Sequence, residues 1–183
     1  MRMLEFTSLE SLDFPKLMGV YYESNVENAA EFFPDEADPE KGRRMVEQKF
    51  YYYLKDDFFR REGVRYYVLE ADGQWVSAVR LFPVSRSDGE KPEAGAAKAW
   101  YAEALETAPS YRRKGFARKM ILLLFDRFGS EGPFEITDTV SKTNTASLRF
   151  HLDCGFEVYR DPACCVLNGK INENAVAMRY RSR

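Results

Sequence analysis

The sequence predicts a single α/β domain with the element order β-α-α-β-β-β-α-β-α-β-β. Three observations carry that reading. Short runs rich in valine and aromatics alternate with stretches whose apolar residues recur at helical period. Two of those runs are separated only by a turn tripeptide, the mark of an antiparallel hairpin. The chain's 183 residues, at roughly 150 residues per domain, are enough for one core with some elaboration and too few for two full domains.

Residues 1–6 read as a strand. Thr7 to Glu10 has the T-x-x-E form of a capping box, which predicts a helix ending near Glu23. Asp38-Pro39-Glu40 is a second start signal: an acid at the N-cap, a proline where a missing N–H costs nothing, and a further acid in the first turn. A helix of about five turns should follow, with Val46, Phe50, Tyr53 and Leu54 on one face. Tyr51, Tyr52, Phe58 and Phe59 spread beyond that face and ask for a second surface. Residues 64–70 and 74–84 read as strands joined through Ala71-Asp72-Gly73, where Asp-Gly tolerates positive φ. Residues 85–95 carry proline, glycine and charge and read as a mobile loop. A strand at 98–107 and a helix at 116–128 come next, the helix with Phe116, Met120, Leu123, Leu124 and Phe128 as its apolar positions. The order closes with a strand at 133–140, a helix at 143–153 and strands at 156–160 and 175–180. No internal repeat is visible.

A formal net charge of -2 and a pI near 5.6 give no electrostatic reason to expect nucleic acid or an anionic membrane as a partner. The longest uncharged run, 162–169, is too short for a membrane span, and Glu5 and Glu10 interrupt the start where a signal peptide needs apolar residues. Three cysteines without a C-x-x-C spacing suit a reducing compartment and provide neither a disulfide framework nor a metal site. The expectation is a cytoplasmic protein. The charge is unevenly placed: residues 1–60 hold 13 acids and 8 bases, a net of -5, so the remainder carries +3. Between Ala108 and Met120 stand Arg112, Arg113, Lys114, Arg118 and Lys119 with no acid, either a solvated helix face or the place for an anionic ligand.

The segment Leu105-Glu106-Thr107-Ala108-Pro109-Ser110-Tyr111-Arg112-Arg113-Lys114-Gly115-Phe116-Ala117 sharpens that choice. A strand ends, and a basic loop containing glycine opens directly into a helix, whose first N–H groups lack internal partners and sit at the positive end of the macrodipole. Such a junction cradles a pyrophosphate. Gly115 permits close approach of phosphate to backbone, and Ala117 leaves room beside it.

This segment resembles motif A of the GNAT superfamily of acyl-CoA-dependent N-acetyltransferases, with the pattern [QR]-x-x-G-x-[GA] at the junction of the fourth strand and third helix. A second stretch, Asn144-Thr145-Ala146-Ser147-Leu148-Arg149-Phe150-His151-Leu152-Asp153-Cys154-Gly155-Phe156, is similar to the family's N-x-x-[AS]-x-x-L-Y-x-x-x-G-F. The element order also matches, whereas the helical segment at about 25–61 is longer than a minimal member needs.

The resemblance implies a mixed, mostly antiparallel central sheet that splays between its fourth and fifth strands, with helices on both faces. It implies acetyl-CoA as co-substrate and a primary amine, small molecule or peptide, as acceptor, the acetyl group passing by direct attack in a ternary complex. Backbone groups of Leu105, Glu106 and Thr107 would pair with the pantetheine arm, and an N–H there would stabilise the oxyanion. Arg112, Arg113, Lys114, Gly115, Phe116 and Ala117 would hold the pyrophosphate. Asn144 would reach the pantetheine, with Ser147 one turn on as a weaker contact; a plain helix cap is the alternative for Asn144. His151 stands where many members have the tyrosine that protonates the departing thiolate. An imidazole near pKa ~6.5 must first be charged to do that work, through an acid such as Asp153 or Glu157, and a packed helix histidine is the alternative. The amine must lose a proton before it attacks, and Glu103, with Glu106 in reserve, is the carboxylate expected to take it. Alternation puts these two on opposite faces unless a bulge shifts the register. Cys154 reads as core packing. No metal is implied. Ten aromatics in 21–59 fit an acceptor site, a homodimer interface or an enlarged core, and the acidic surplus around them suggests a cationic acceptor. An acyl-CoA-binding regulatory module without turnover is the competing reading of the whole chain.

Overall fold

A computed structural model describes residues 1–84 and 98–182; the loop expected at 85–95 lies outside the described residues. In chain order the elements are β1 (Arg2–Phe6), α1 (Phe14–Val20), α2 (Tyr22–Phe32), α3 (Pro39–Asp56), β2 (Arg65–Ala71), β3 (Gln74–Val84), β4 (Lys98–Thr107), α4 (Phe116–Gly129), β5 (Phe134–Ser141), α5 (Thr145–Asp153), β6 (Glu157–Arg160), β7 (Ala163–Cys164), β8 (Ile171–Asn172) and β9 (Ala175–Arg181). Short 3-10 turns at Phe58–Arg60 and Pro109–Tyr111 join them. The expected mixed sheet is present: seven strands bond in the order β1-β2-β3-β4-β5-β9-β6, with β4 and β5 parallel and helices packed around them, while β7 and β8 pair separately.

The chain divides into two compact units, one of Met1–Arg80 with Ala104–Ala117, the other of Leu81–Glu103 with Arg118–Arg183. In the first, β1 pairs antiparallel with β2 from Arg2↔Glu70 to Phe6↔Tyr66. The hairpin from β2 to β3 turns on Asp72 (φ 50°) and Gly73 (φ 76°), two left-handed residues in succession, as a two-residue turn between right-twisted strands demands. Helix α3 starts where the sequence says, with the Asp38 carboxylate accepting from the Glu40 N–H and Pro39 in the first turn. It buries Val46 and Leu54, and Phe58 beyond its end closes the core against Tyr66. Tyr51 and Tyr52 stay exposed.

The capping box at Thr7 does not start a helix. Asp13 caps α1 instead, its carboxylate accepting from the Lys16 N–H, because Pro15 lacks a donor and so is tolerated only in a first turn. Residues 8–12 form turns, and a break at Tyr21 separates α1 from α2.

In the second unit β9 is the inner strand, antiparallel to both β5 and β6. Met120, Leu124 and Phe128 of α4 are buried, and Phe128 stacks on Trp100 of β4. The parallel ladder joins Lys98↔Phe134 through Tyr101↔Thr137, whereas both strands run on, to Thr107 and Ser141. That is the splay the resemblance called for. Among the described residues no helix is long and apolar enough to cross a membrane.

Candidate active site

In the first unit the site is organised by one backbone irregularity. Ala104 of β4 has φ 53°, a left-handed conformation that costs a residue with a Cβ roughly 1–2 kcal/mol. A chain of buried hydroxyls holds it. Tyr66 of β2 donates to the Tyr21 oxygen at 2.8 Å, and Tyr21, at the break between α1 and α2, donates to the Ala104 carbonyl at 2.9 Å. Ser77 of β3 fixes the next turn of backbone by donating to the Glu106 carbonyl at 2.5 Å. Ala104 and Glu106, two residues apart, line a cavity of about 270 Å³ together with Tyr21, Asn25, Phe50 and Tyr53. Glu103 and Leu105 are not among its lining residues. Burial pushes the Glu106 carboxyl above the ordinary carboxylate value; a hydrogen bond from Ser24 and the charge of Arg112 pull the other way, and Glu27 and Glu23 add to the rise.

The cavity wall carries two cations that the sequence reading passed over. The Arg80 guanidinium, from β3, lies over the rings of Phe50 (4.9 Å) and Tyr53 (5.2 Å) of α3. Lys49 of α3 places its ammonium 4.7 Å from the Phe33 ring and 5.7 Å from that of Phe32. Arg80 had a signal: it is the one charge in Gln74–Val84. The acids of the first third do not line the cavity; Glu36 pairs with Lys41, and Glu40 with Arg43 and Tyr22, at the surface. Glu23 and Glu27, which act on Glu106, are the part of that surplus nearest the cavity.

Past Thr107 the chain enters the basic segment. The Ala108 N–H donates to the Val76 carbonyl, the 3-10 turn at Pro109–Tyr111 follows, and then Arg113 (φ 58°) and Gly115 (φ 82°) are both left-handed just before α4 begins. A Cβ built on Gly115 would meet nothing within 4 Å, so glycine is required by its φ and the space above it is open. Arg112 donates through Nε to the Thr107 carbonyl at 3.2 Å and pairs with Glu23 of α2. Lys114 donates to the Ser110 carbonyl and rests over Tyr111. Arg113, Lys114, Arg118 and Lys119 are exposed. Phe116 packs edge-on to Tyr111, and Ala117 is half-buried.

The second unit contains the other sequence-derived residues. Asn144 caps α5, its Oδ1 accepting from the Ser147 N–H at 3.0 Å, which leaves its Nδ2 donors outside the cap. His151 is buried, 3% exposed, with Nε2 at 3.0 Å from Asp138 Oδ2 of β5 and Nδ1 at 2.8 Å from the Ser147 carbonyl. The Ser147 hydroxyl is 3.3 Å from the same Nδ1. The acid beside the imidazole is thus Asp138, while Asp153 and Glu157 pair with Arg149 and Arg179. Asp138 was missed because it lies on a different element. Carboxylate and carbonyl both accept hydrogen bonds, an arrangement that the protonated ring satisfies at both nitrogens. Burial works against that charge, but the hydrogen bond and charge of Asp138 and the Ser147 carbonyl outweigh it and raise the pKa. Cys154 is buried beside α5, and burial raises its thiol pKa. Among the described residues no cluster of three or more His, Cys, Asp or Glu is placed to hold a metal ion.

No curated protein sequence matches the chain. Solved structures similar to it include the PaiA N-acetyltransferase from Thermoplasma acidophilum in complex with coenzyme A (18% identity, all of both chains, TM-score 0.61). A ribosomal-protein-alanine N-acetyltransferase from Brucella melitensis aligns at 19% identity over 97% of this chain and 98% of its own, with a TM-score of 0.57. NAA60 from Arabidopsis thaliana in complex with acetyl-CoA aligns at 14% identity over 98% of each chain, with a TM-score of 0.59. At these identities the likeness establishes the fold. The family model of the GNAT acetyltransferases matches residues 24–156, most of the chain, and the chain belongs to that family.

Proposed function

We propose that this chain transfers an acetyl group from acetyl-CoA to a primary amine by direct attack within a ternary complex. The observation that carries the reading is Glu106: a carboxyl raised by burial faces a cavity from the strand that leads directly into a basic loop and a helix N-terminus. The residues present suit the co-substrate. Arg113 and Gly115 are left-handed, the space at Gly115 is open, and the neighbouring Arg112, Arg113 and Lys114 are exposed. Arg112 to Ala117 would hold the pyrophosphate. The backbone of Leu105, Glu106 and Thr107, past the end of the parallel ladder, would pair with the pantetheine arm. When bound, acetyl-CoA supplies a thioester carbonyl open to attack.

The chain's own work is then proton handling and positioning. A primary ammonium must give up a proton, and a carboxylate whose pKa lies above the ordinary value is a better match to it than an unperturbed one. Glu106 is assigned that role; Glu103, off the cavity wall, is the reserve. His151, with both nitrogens committed to Asp138 and Ser147, is assigned to holding α5 on β5. That commitment is also what favours the second reading, an acyl-CoA-binding module without turnover.

One set of measurements separates the readings. Acetyl-CoA raises the melting temperature in both, and Gly115→Glu abolishes the rise by filling the open space; no rise in the unaltered protein sinks both. Free thiol released from acetyl-CoA with an amine supports the enzyme alone. Glu106→Gln should then lower kcat by about 10²–10⁴-fold while the acetyl-CoA shift persists. Its melting temperature should rise, since a buried carboxylate is replaced by a neutral isostere.

A further inference from the structure

A buried side-chain amide stands in the wall of the Glu106 cavity with its oxygen unused. Asn25 of α2 is 5% exposed and lines the cavity. Its Nδ2 donates to Met18 Sδ at 3.6 Å. A thioether sulfur accepts and cannot donate, so that contact decides which corner of the amide is nitrogen and which is oxygen. Met18 is not a lining residue, and among the described residues the Asn25 Oδ1 accepts no hydrogen bond. An amide oxygen buried to this degree is costly without a donor, and folded chains seldom leave one so. The backbone that places Asn25 also places Glu106. The Asn25 N–H donates to the Tyr21 carbonyl at 2.8 Å, and the Tyr21 hydroxyl donates to the carbonyl of Ala104, two residues before Glu106. Glu23, Ser24 and Glu27, the neighbours of Asn25 on α2, all act on the Glu106 carboxyl. Amide and carboxyl thus share one cavity of about 270 Å³.

Deepening the acetyl-transfer reading and resting on it, we propose that Asn25 holds the acceptor's amine and selects primary amines, its Oδ1 accepting one N–H while Glu106 removes the proton of another. A primary ammonium brings three N–H groups. Its nitrogen, once deprotonated, attacks the thioester carbonyl; a C–N bond forms as the C–S bond breaks. The amine loses two protons in all, one to Glu106 and one with the departing coenzyme A thiolate. The N–H that Asn25 holds is the one that the amide product keeps. A secondary ammonium has only two N–H groups and must surrender both, so the contact with Asn25 has to break before its product forms. Holding one N–H also turns the new lone pair in a fixed direction, which is the positioning a direct attack requires.

The test is thiol release from acetyl-CoA, above the amine-free rate, with n-butylamine and benzylamine, each beside its N-methyl counterpart. Asn25→Leu keeps the size of the side chain and removes the acceptor. It should lower kcat/KM for the primary amines by roughly tenfold to hundredfold, chiefly through KM, because the hydrogen bond is made on binding as well as during attack. The preference for primary over N-methyl amines should shrink with it, whereas a steric preference or a merely structural amide would leave that ratio whole. The acetyl-CoA thermal shift should persist, and the melting temperature should not fall, since no buried oxygen is left without a donor. Asn25→Asp supplies an acceptor oxygen again and should bring KM back toward that of the unaltered protein. Asn25→Ala tests the same ratio where Asn25→Leu fails to fold. A ratio unchanged in these variants, whatever the rate, gives the Asn25 oxygen to a bound water and overturns the proposal with acetyl transfer left standing. Release with neither primary amine in the unaltered protein overturns both.

Discussion

A histidine with an acceptor at each ring nitrogen has one protonation state that satisfies both, and His151 meets that condition with Asp138 and the Ser147 carbonyl. Its pKa lies above the ordinary 6.5, so the folded state holds the proton more tightly than the unfolded chain. The linkage sign follows: the imidazolium's contribution to stability is fully present below the unfolded value and is lost as pH rises through the higher folded value. The sequence carries one histidine, so a single imidazole resonance reports the titration. It should titrate above 6.5, and the pH slope of stability in that window should vanish in His151→Phe. That variant should also lose about 1–3 kcal/mol near pH 6, because the half-buried Asp138 carboxylate is left without its imidazole partner. Denaturant midpoints across pH measure both; a resonance titrating at or below 6.5 removes the ionic staple. The residue itself was legible from its place in the second motif. Its chemistry was not, because the partner lies 13 positions upstream on β5, a pairing made by tertiary packing.

Between residue and fold, the strand β4 depends on elements distant in sequence. The Tyr66–Tyr21–Ala104 chain links β2, the break between α1 and α2, and the left-handed residue that precedes Glu106. Tyr21→Phe removes the donor to the Ala104 carbonyl and the acceptor for Tyr66, and should cost about 1–3 kcal/mol. Because the left-handed Ala104 sets the direction of β4 two residues before Glu106, kcat should fall in this variant while the acetyl-CoA thermal shift is kept. A variant that loses stability with kcat unchanged would show the hydroxyl chain to be structural only. Local signals read well at this scale: Asp38-Pro39 and Asp72-Gly73 acted as written, since each works through its own backbone. Thr7-x-x-Glu10 failed because Asp13 and Pro15 offer a better start a few residues on. The left-handed turn at Ala104 was not legible, since no glycine marks it and its strain is borne by a hydrogen bond from another element. The two-residue strands β7 and β8 are too short to show any period.

For the molecule as a whole, charge placement matters more than the net of -2. The acidic surplus of residues 1–60 was legible as arithmetic but its placement was not, because a count does not reveal that Glu36 and Glu40 face Lys41 and Arg43 while Glu23 and Glu27 act on Glu106. The basic stretch at 108–120 lies between a strand and a helix, which ties it to a defined geometry. Its two candidate roles differ in how they respond to salt. As a solvated face, the stretch is screened without consequence for any ligand. As a pyrophosphate cradle, it should make acetyl-CoA binding weaken as ionic strength rises, because exposed charges lose their reach once the screening length falls from ~30 Å at 0.01 M to ~3 Å at 1 M. At a ligand concentration a hundred times its Kd, acetyl-CoA should add about 2.7 kcal/mol to stability, which for a chain of this size is a rise of roughly 5–10 °C in Tm. At fixed acetyl-CoA concentration that rise should shrink steadily from low to high salt, and Arg113→Glu should shrink it further at low salt than at high. A rise that ignores salt, or that Arg113→Glu leaves whole, assigns the five cations to the solvent and takes the pyrophosphate elsewhere.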